Sequence, residues 1–208
     1  MIMKYKHILF DIDGTLVDNE SAVISTWQQT INELFGKHYE KSELNFVLGI
    51  PGVPTMQKLG ASDPDEAFKV WSINFQKHRN EICLFDGIAD VMKELKKQGY
   101  HLGLITSRTR DELNNDDALC LIYDLFDCAI CVTDTKSPKP SAEPLLAYIE
   151  QCGANRNECL YIGDAAYDSL CAQNANVDFC LATWSEGKKD IPCKYLLSKP
   201  KDIFDCLK

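Results

Sequence analysis

The sequence predicts an α/β fold, a parallel sheet with helices on both faces, with an all-helical domain inserted after the first strand. A short apolar run, Ile8–Phe10, indicates that first buried strand. From Cys83 onward, apolar runs alternate with amphipathic helical patterns, the order typical of a parallel sheet. Between these regions, residues 19–81 are helical in pattern throughout. We therefore expect a core domain of residues 1–18 and 82–208 and a helical domain of residues 19–81.

The inserted segment shows helical periodicity and clear breakers. Helical pieces are predicted after Ser21 up to Phe35, at about 41–48, at 55–59 and from Ser62 onward. Gly36 is a plausible stop for the first piece, and the cluster of Gly and Pro at 49–54 is expected to break the chain. Asp63 followed by Pro64 is typical of a helix start. The segment is therefore predicted to be helical and to contain no strand.

The second half of the chain alternates regularly. Strands are predicted at 100–106, 127–133, 159–162 and 177–182, and helices near 86–99, 110–123, 142–152 and 165–175, followed by a short strand and a last helix within 195–207. Asp86 is the expected cap of the first of these helices, and Asn176 is expected to take a left-handed position at the end of another. This order predicts at least five strands in one parallel sheet.

Composition and charge restrict the function classes. The chain has 208 residues, of which 45% are apolar and 25% charged, so it is long enough to bury a sizeable core. The formal net charge of −9 argues against binding to a phosphate backbone, so nucleic acid is not an expected partner. The first residues lack the apolar stretch of a signal peptide, and no apolar run approaches the length of a membrane span. We therefore expect a cytoplasmic protein with no membrane partner.

The ten cysteines are expected to be reduced and buried, because no secretion signal is evident. Cys128 and Cys131 have the spacing of a metal-binding pair. On a strand, however, side chains three positions apart point to opposite faces, and no second pair of this kind completes four ligands. A zinc site is therefore not expected.

Polar side chains stand where four of the predicted strands end. They are Asp11 and Asp13 after the first strand, Thr106 and Ser107 after the second, Lys139 in the loop after the third, and Asp164 and Asp168 after the fourth. The carboxyl ends of parallel strands meet at one edge of a sheet, so these groups are expected to converge. Each alone has an ordinary structural interpretation, such as an acidic turn, a loop lysine or a solvated helix residue. Together they predict a site for phosphoryl transfer.

The chemistry of this set supports that prediction. Mg²⁺ prefers oxygen ligands and commonly binds through one or two carboxylates and a substrate phosphate. A lysine and a hydroxyl group can stabilise the charge on a transferring phosphoryl group. One carboxylate can attack phosphorus and form an aspartyl-phosphate, and a second can exchange protons with the leaving oxygen and with water.

These residues resemble the four motifs of the haloacid dehalogenase superfamily, whose core is a Rossmann-like α/β fold. The matching stretches are Asp11-Ile-Asp13-Gly-Thr15-Leu-Val-Asp18, Leu104-Ile-Thr106-Ser107, Lys139-Pro140 and Gly163-Asp164-Ala-Ala-Tyr-Asp168. Residues 19–81 resemble the helical cap of the branch that contains phosphoglycolate phosphatases and β-phosphoglucomutases. The chain departs from the common pattern at Ser107, Ala142 and Ala165, which is expected to affect rate and substrate rather than reaction type.

The resemblance implies a role for each motif residue. It implies that Asp11 is the nucleophile and that Asp13 is the general acid and base and offers its backbone carbonyl to Mg²⁺. Thr106, Ser107 and Lys139 would hold the phosphoryl group. Asp164 would be a metal ligand, and Asp168 either a metal ligand through water or a partner of Lys139. The metal site implied in this way comprises Asp11, Asp13, Asp164 and Asp168. In the family, a carboxylate at the position of Asp13 accompanies reactions on phosphate esters and anhydrides.

The resemblance leaves several activities open. The expected one is a Mg²⁺-dependent phosphatase of small phosphorylated metabolites, acting as a monomer or dimer. Alternatives are a phosphosugar mutase, an inorganic pyrophosphatase and a binding protein without activity. The mutases carry a His where this chain has Val23 and an Arg where it has Gly49–Gly52, so transfer to water is favoured. Lys58 and the loop 49–54 are candidates for cap groups that contact the substrate.

Overall fold

The computed structural model describes residues 3–47, 52–185 and 190–207. The chain forms two compact units, one of residues Met1–Asp18 and Leu84–Lys208 and the other of residues Asn19–Cys83. The strands are β1 (His7–Phe10), β2 (Val17–Asp18), β3 (Cys83–Leu84), β4 (His101–Ile105), β5 (Cys128–Ile130), β6 (Cys159–Gly163), β7 (Asp178–Ala182) and β8 (Tyr195–Leu197). The helices are α1 (Glu20–Phe35), α2 (Gly52–Leu59), α3 (Pro64–Phe75), α4 (Ile88–Lys97), α5 (Arg110–Asn114), α6 (Glu143–Cys152), α7 (Ala166–Ala175) and α8 (Ile203–Cys206).

The first unit is built on a six-stranded sheet in the order β5-β4-β1-β6-β7-β8. Every neighbouring pair in it is parallel, with Phe10 of β1 opposite Leu104 on one side and Ile162 on the other. All four residues of β1 are buried, as expected for a strand that is covered on both faces. The predicted α/β fold with a parallel sheet is therefore confirmed.

Helices α6 and α7 cover one face of this sheet. Their apolar residues, Tyr148 of α6 among them, form one large core cluster with Leu9 and Tyr161 of the sheet. On α4, every buried side chain is apolar: Ile88, Val91, Met92 and Leu95. Hydrophobic packing thus holds the middle strands rigid and fixes where their carboxyl ends point.

Three predictions about local structure in this unit were wrong. Helix α4 begins after Gly87, which has a φ of 81° and takes the capping position that we expected for Asp86. The predicted helix 110–123 ends at Asn114, and two short 3₁₀ turns follow at Leu119–Leu121 and Tyr123–Leu125. The chain folds back there because the buried Asp116 side chain accepts a hydrogen bond from the Leu119 N–H. The strand predicted at 127–133 stops at Ile130, after which Asp134 accepts from the Cys131 N–H and closes a 3₁₀ turn.

The second unit contains helices and 3₁₀ turns but no strand within the described part of residues 19–81. Its core consists mainly of Ile24, Trp27, Ile31, Leu44 and Met56. The predicted ends are present, because Gly36 adopts a φ of 63° after α1 and Asp63 accepts from the Glu66 N–H at the start of α3. The piece at 41–47 is a 3₁₀ helix.

The expected break at 49–54 was wrong in its second half. Helix α2 begins at Gly52 and includes Pro54 in its first turn, where a missing N–H costs no hydrogen bond. Positions 49–51 lie outside the described residues. Lys58 is exposed on α2, with its ammonium 5.5 Å from the centre of the Phe46 ring.

All ten cysteines are free thiols, but not all are buried. Cys83, Cys120 and Cys193 are exposed, and Cys152 and Cys206 are half-buried, which corrects the prediction for these five. Within the described part of the chain, no helix combines the length and the apolar character needed to cross a membrane.

Candidate active site

A buried lysine joins two carboxylates at the carboxyl end of the sheet. The Lys139 ammonium donates to Asp11 Oδ1 at 2.6 Å and to Asp168 Oδ1 at 2.7 Å. The Lys139 side chain is 7% exposed, and those of the two carboxylates are 8% and 1% exposed, respectively. Three charged groups from three separate segments of the chain therefore meet away from solvent, which requires the surrounding fold to hold them in place.

Asp11 is held in place by its own backbone. Its N–H donates to the Ile162 carbonyl at 2.9 Å, which extends the pairing of β1 with β6 by one residue. The chain then turns at Gly14, which has a φ of 78° and whose N–H donates to the Val17 carbonyl. The strand thus fixes the direction of the Asp11 side chain, and the turn carries the chain away from it.

The loop that carries Lys139 is held at both ends. Glu143 Oε2 accepts from the backbone N–H groups of Lys136 and Ser137 at 3.0 and 2.9 Å. On the other side, Asn174 Nδ2 donates to the Pro140 carbonyl at 2.9 Å. The lysine therefore projects from a fixed loop rather than from a mobile one.

Two glycines make room for the carboxylates after β6. A Cβ atom on Gly14 would lie 2.3 Å from Asp164 Oδ2, and one on Gly163 would lie 2.6 Å from the Asp168 side chain. Asp164 is 2% exposed and accepts a long hydrogen bond of 3.4 Å from Thr15 Oγ1. Close packing of backbone against carboxylate explains why these positions are glycine.

Three of these carboxylates form a cluster suited to a metal ion. Asp11, Asp164 and Asp168 are buried, and one oxygen from each lies within 4.8 Å of the others. Like charges held this close in a buried place need a cation to offset them, and Lys139 supplies only one positive charge. The donor set consists of oxygen atoms, which fits a hard divalent cation.

Burial dominates the electrostatics of the nucleophile candidate. It raises the pKa of Asp11 to about 7, and the attraction of Lys139 offsets only part of that effect. Burial lowers the pKa of Lys139, but Asp11 and Asp168 together outweigh it, so that this pKa is raised and the lysine stays charged. A bound cation would favour the ionised form of Asp11 in the same way as Lys139 does.

Asp13 lies outside this cluster and has a different partner. Both of its side-chain oxygens accept from Arg108, with Nη2 to Oδ1 at 2.6 Å and Nε to Oδ2 at 2.9 Å. Sequence reasoning missed Arg108. Arg108 stands two residues after Thr106, just past the end of a predicted strand. A cation in that position, like Lys139 after the next strand, was the signal that could have indicated a site residue.

Thr106 and Ser107 follow β4 at the same edge of the sheet. Thr106 is 3% exposed, and its Oγ1 accepts from the Arg108 N–H at 3.1 Å. Ser107 is exposed. The structure thus brings Asp11, Asp164, Asp168 and Lys139 into direct proximity and places the other motif residues beside them.

Tyr161 is a second residue that sequence reasoning missed. It lies inside β6, where its ring belongs to the apolar core, and its hydroxyl donates to Asp168 Oδ1 at 2.8 Å and accepts from Lys139 at 3.3 Å. Burial raises its pKa well above the ordinary value, so the hydroxyl keeps its proton. A tyrosine among strand residues is usually a core residue, so the strand pattern gives no signal that its hydroxyl contacts the site.

Residues 8–182 match the family described as haloacid dehalogenase-like hydrolase. The chain belongs to that family. The resemblance inferred from the four motifs is therefore confirmed, and all of the motif residues fall within the matched region. As a member of this family of hydrolases, the chain is an enzyme.

Known relatives match this chain over nearly its whole length. Pyrophosphatase PpaX of Bacillus velezensis is 28% identical over 201 residues, which cover 94% of this chain and 93% of that protein. The crystal structure of a provisionally assigned phosphoglycolate phosphatase of Lactobacillus plantarum has a TM-score of 0.85 and 28% identity, covering 98% of this chain and 99% of that one. A hydrolase of the same superfamily from Geobacter sulfurreducens, at 22% identity and a TM-score of 0.80 over 100% of this chain and 98% of that one, shows the shared fold.

Proposed function

We propose that this enzyme is a Mg²⁺-dependent phosphatase of small phosphorylated metabolites that acts through an aspartyl-phosphate on Asp11. The observation that carries the proposal is the buried contact of Lys139 with Asp11 and Asp168, at 2.6 and 2.7 Å, beside a third carboxylate. The names of the relatives, a pyrophosphatase and a phosphoglycolate phosphatase, support a phosphate anhydride or ester as substrate.

The proposed mechanism assigns the covalent step to Asp11. Its carboxylate attacks the phosphorus atom, the bond to the leaving oxygen breaks, and the phosphoryl group is then carried by Asp11 as an acyl phosphate. Lys139 orients the attacking carboxylate and offsets the negative charge of the phosphoryl oxygens, while the Thr106 hydroxyl and Ser107 hold that group. Water then attacks the phosphorus, which releases phosphate and restores the carboxylate.

Asp13 is proposed to move the protons in both steps. It gives a proton to the leaving oxygen in the first step and takes one from the attacking water in the second. Asp11, Asp164 and Asp168, with the backbone carbonyl of Asp13, would hold Mg²⁺, whose charge would offset the negative charge of the phosphoryl oxygens. Residues 19–81 are proposed to act as the cap. The cytoplasm as the place of action stays a prediction from the sequence.

The proposal is tested with p-nitrophenyl phosphate in the presence of Mg²⁺ or EDTA. We expect release of p-nitrophenol only with the metal, no turnover by Asp11→Asn, and full turnover by Asp124→Asn, a matched change at an exposed position. Release that is insensitive to EDTA, or that persists in Asp11→Asn, would refute the mechanism. With ³²P-labelled substrate, an acid quench should trap a hydroxylamine-sensitive label on the wild type and none on Asp11→Asn.

A mutase remains the alternative within the same chemistry. Conversion of a sugar 1-phosphate to the 6-phosphate without net release of phosphate would favour it over the phosphatase. Phosphoglycolate, pyrophosphate, nucleotides and sugar phosphates form the panel that separates substrates.

A further inference from the structure

Arg108 connects the proposed proton carrier to a buried anchor. Its guanidinium donates through Nε and Nη2 to both oxygens of Asp13, and through Nη1 to Asp116 Oδ2 at 2.5 Å. The Arg108 side chain is 13% exposed. One planar group therefore holds two carboxylates at once, the geometry for which arginine is suited.

The two carboxylates differ in their exposure to solvent. The Asp116 side chain is 6% exposed and is further fixed by the Leu119 N–H, which donates to its Oδ1 at 2.7 Å. The Asp13 side chain is 39% exposed. Asp116 is thus the fixed partner of Arg108, whereas Asp13 occupies the side of the guanidinium that solvent and a substrate can reach.

This arrangement conflicts with the role proposed for Asp13. A carboxylate that must reach the leaving oxygen cannot keep both of its oxygens on a guanidinium. If Asp13 turns away, the Nε and Nη2 groups of Arg108 on the substrate side lose their acceptors while the Arg108 side chain remains largely buried, which is costly. An incoming anion on the substrate would remove that cost.

We propose that Arg108 binds a second anionic group of the substrate, a phosphoryl or carboxylate group next to the leaving oxygen, in exchange for Asp13. This inference rests on the proposed phosphatase function. Asp116 keeps the guanidinium in place during the exchange, and Asp13 is released only when the second anion is present. The site therefore selects substrates that carry an anion on both sides of the leaving oxygen.

The test compares three probes on the wild-type enzyme with Mg²⁺. Phosphoglycolate carries a carboxylate as the second anion, inorganic pyrophosphate carries a phosphoryl group, and ethyl phosphate replaces the carboxylate of phosphoglycolate by a methyl group. We expect kcat/KM to be about tenfold or more higher for at least one anionic probe than for ethyl phosphate, the size of one charged hydrogen bond. Equal kcat/KM values for all three probes would overturn the proposal. The anionic probe with the higher kcat/KM would show whether the second anion is a carboxylate or a phosphoryl group.

Variants of Arg108 show whether this residue carries the selectivity. Arg108→Gln should reduce the ratio of kcat/KM between the better anionic probe and ethyl phosphate toward one. Arg108→Lys keeps the charge but cannot hold Asp116 and an anion in the same fork, so it should give an intermediate ratio and serves if the glutamine variant does not fold. A ratio that stays at its wild-type value in the folded variant, with all probes affected equally, would overturn the proposal. Failure of the phosphatase function itself is distinct, because wild-type enzyme would then hydrolyse none of the probes.

Discussion

Replacing the proposed nucleophile should make the metal-free protein more stable, and the gain should depend on pH. Burial raises the pKa of Asp11 to about 7, above its ordinary value of 3.8. The fold therefore disfavours the ionised carboxylate. This cost is absent below about pH 4, increases up to about pH 7, and is complete above that. Asn at this position cannot ionise and avoids the cost, so Asp11→Asn should be stabilised most at high pH.

The upper limit of the gain follows from the size of the pKa difference. Three units correspond to about 4 kcal/mol at about 1.4 kcal/mol per unit. With a urea m-value of roughly 2 kcal/mol per molar, the midpoint of unfolding would move by up to about 2 M. Lys139 keeps its contact with Asp168 at 2.7 Å in the variant, so it is not left without a carboxylate.

Urea unfolding in EDTA at pH 5 and pH 8, followed by circular dichroism, measures this effect. Asp127→Asn is a control of opposite sign. Burial raises the pKa of Asp127, but Lys96 and the Leu102 N–H together lower it below the ordinary value. The control should therefore lose about the same stability at pH 5 and at pH 8, and approach the wild type only below about pH 4. If Asp11→Asn is less stable than the wild type at pH 8, the Lys139 ion pair outweighs burial and the reasoning is refuted.

Three further predictions concern the same site. Gly14→Ala should abolish Mg²⁺-dependent turnover, because the added carbon would lie 2.3 Å from Asp164 Oδ2. Gly87→Ala, at a similar positive φ but with no atom within 4 Å of the added carbon, controls for backbone strain. Equal losses of turnover in both variants would argue against a clash with Asp164. Tyr161→Phe should stay folded but lower kcat about tenfold, because Asp168 loses a buried hydrogen bond, and an unchanged kcat would contradict a positioning role. Mg²⁺ should raise the thermal midpoint of the wild type more than that of Asp11→Asn; equal shifts would remove Asp11 from the metal site.

Much of the fold was predictable because its signals are local. The apolar run before Asp11 and the alternation after Cys83 specify strands and helices without reference to distant residues. The proximity of Asp11, Lys139 and Asp164 follows from one topological rule, that parallel strand ends share an edge. A rule of this kind brings together residues that lie far apart in the chain.

The role of Arg108 depends on contacts that no local pattern specifies. Its anchor, Asp116, lies in a stretch whose periodicity favoured a longer helix, and the turn at Asp116 is stabilised by the side chain itself. Periodicity cannot show that a polar side chain will replace a helical hydrogen bond. Tyr161 illustrates the same limit, because its ring satisfies the strand pattern while its hydroxyl contacts groups from two other segments.

The position of β1 at the centre of the sheet has a consequence for synthesis of the chain. This strand leaves the ribosome before both of its neighbours, residues 101–105 and 159–163, so it waits without a partner on either side. The helical unit of residues 19–83 is continuous in the chain and has its own apolar core, so it does not need the later strands to bury that core. The nucleophile acquires its backbone hydrogen bond only when Ile162 arrives, so a nascent chain shorter than that exposes an apolar strand edge and is prone to aggregate.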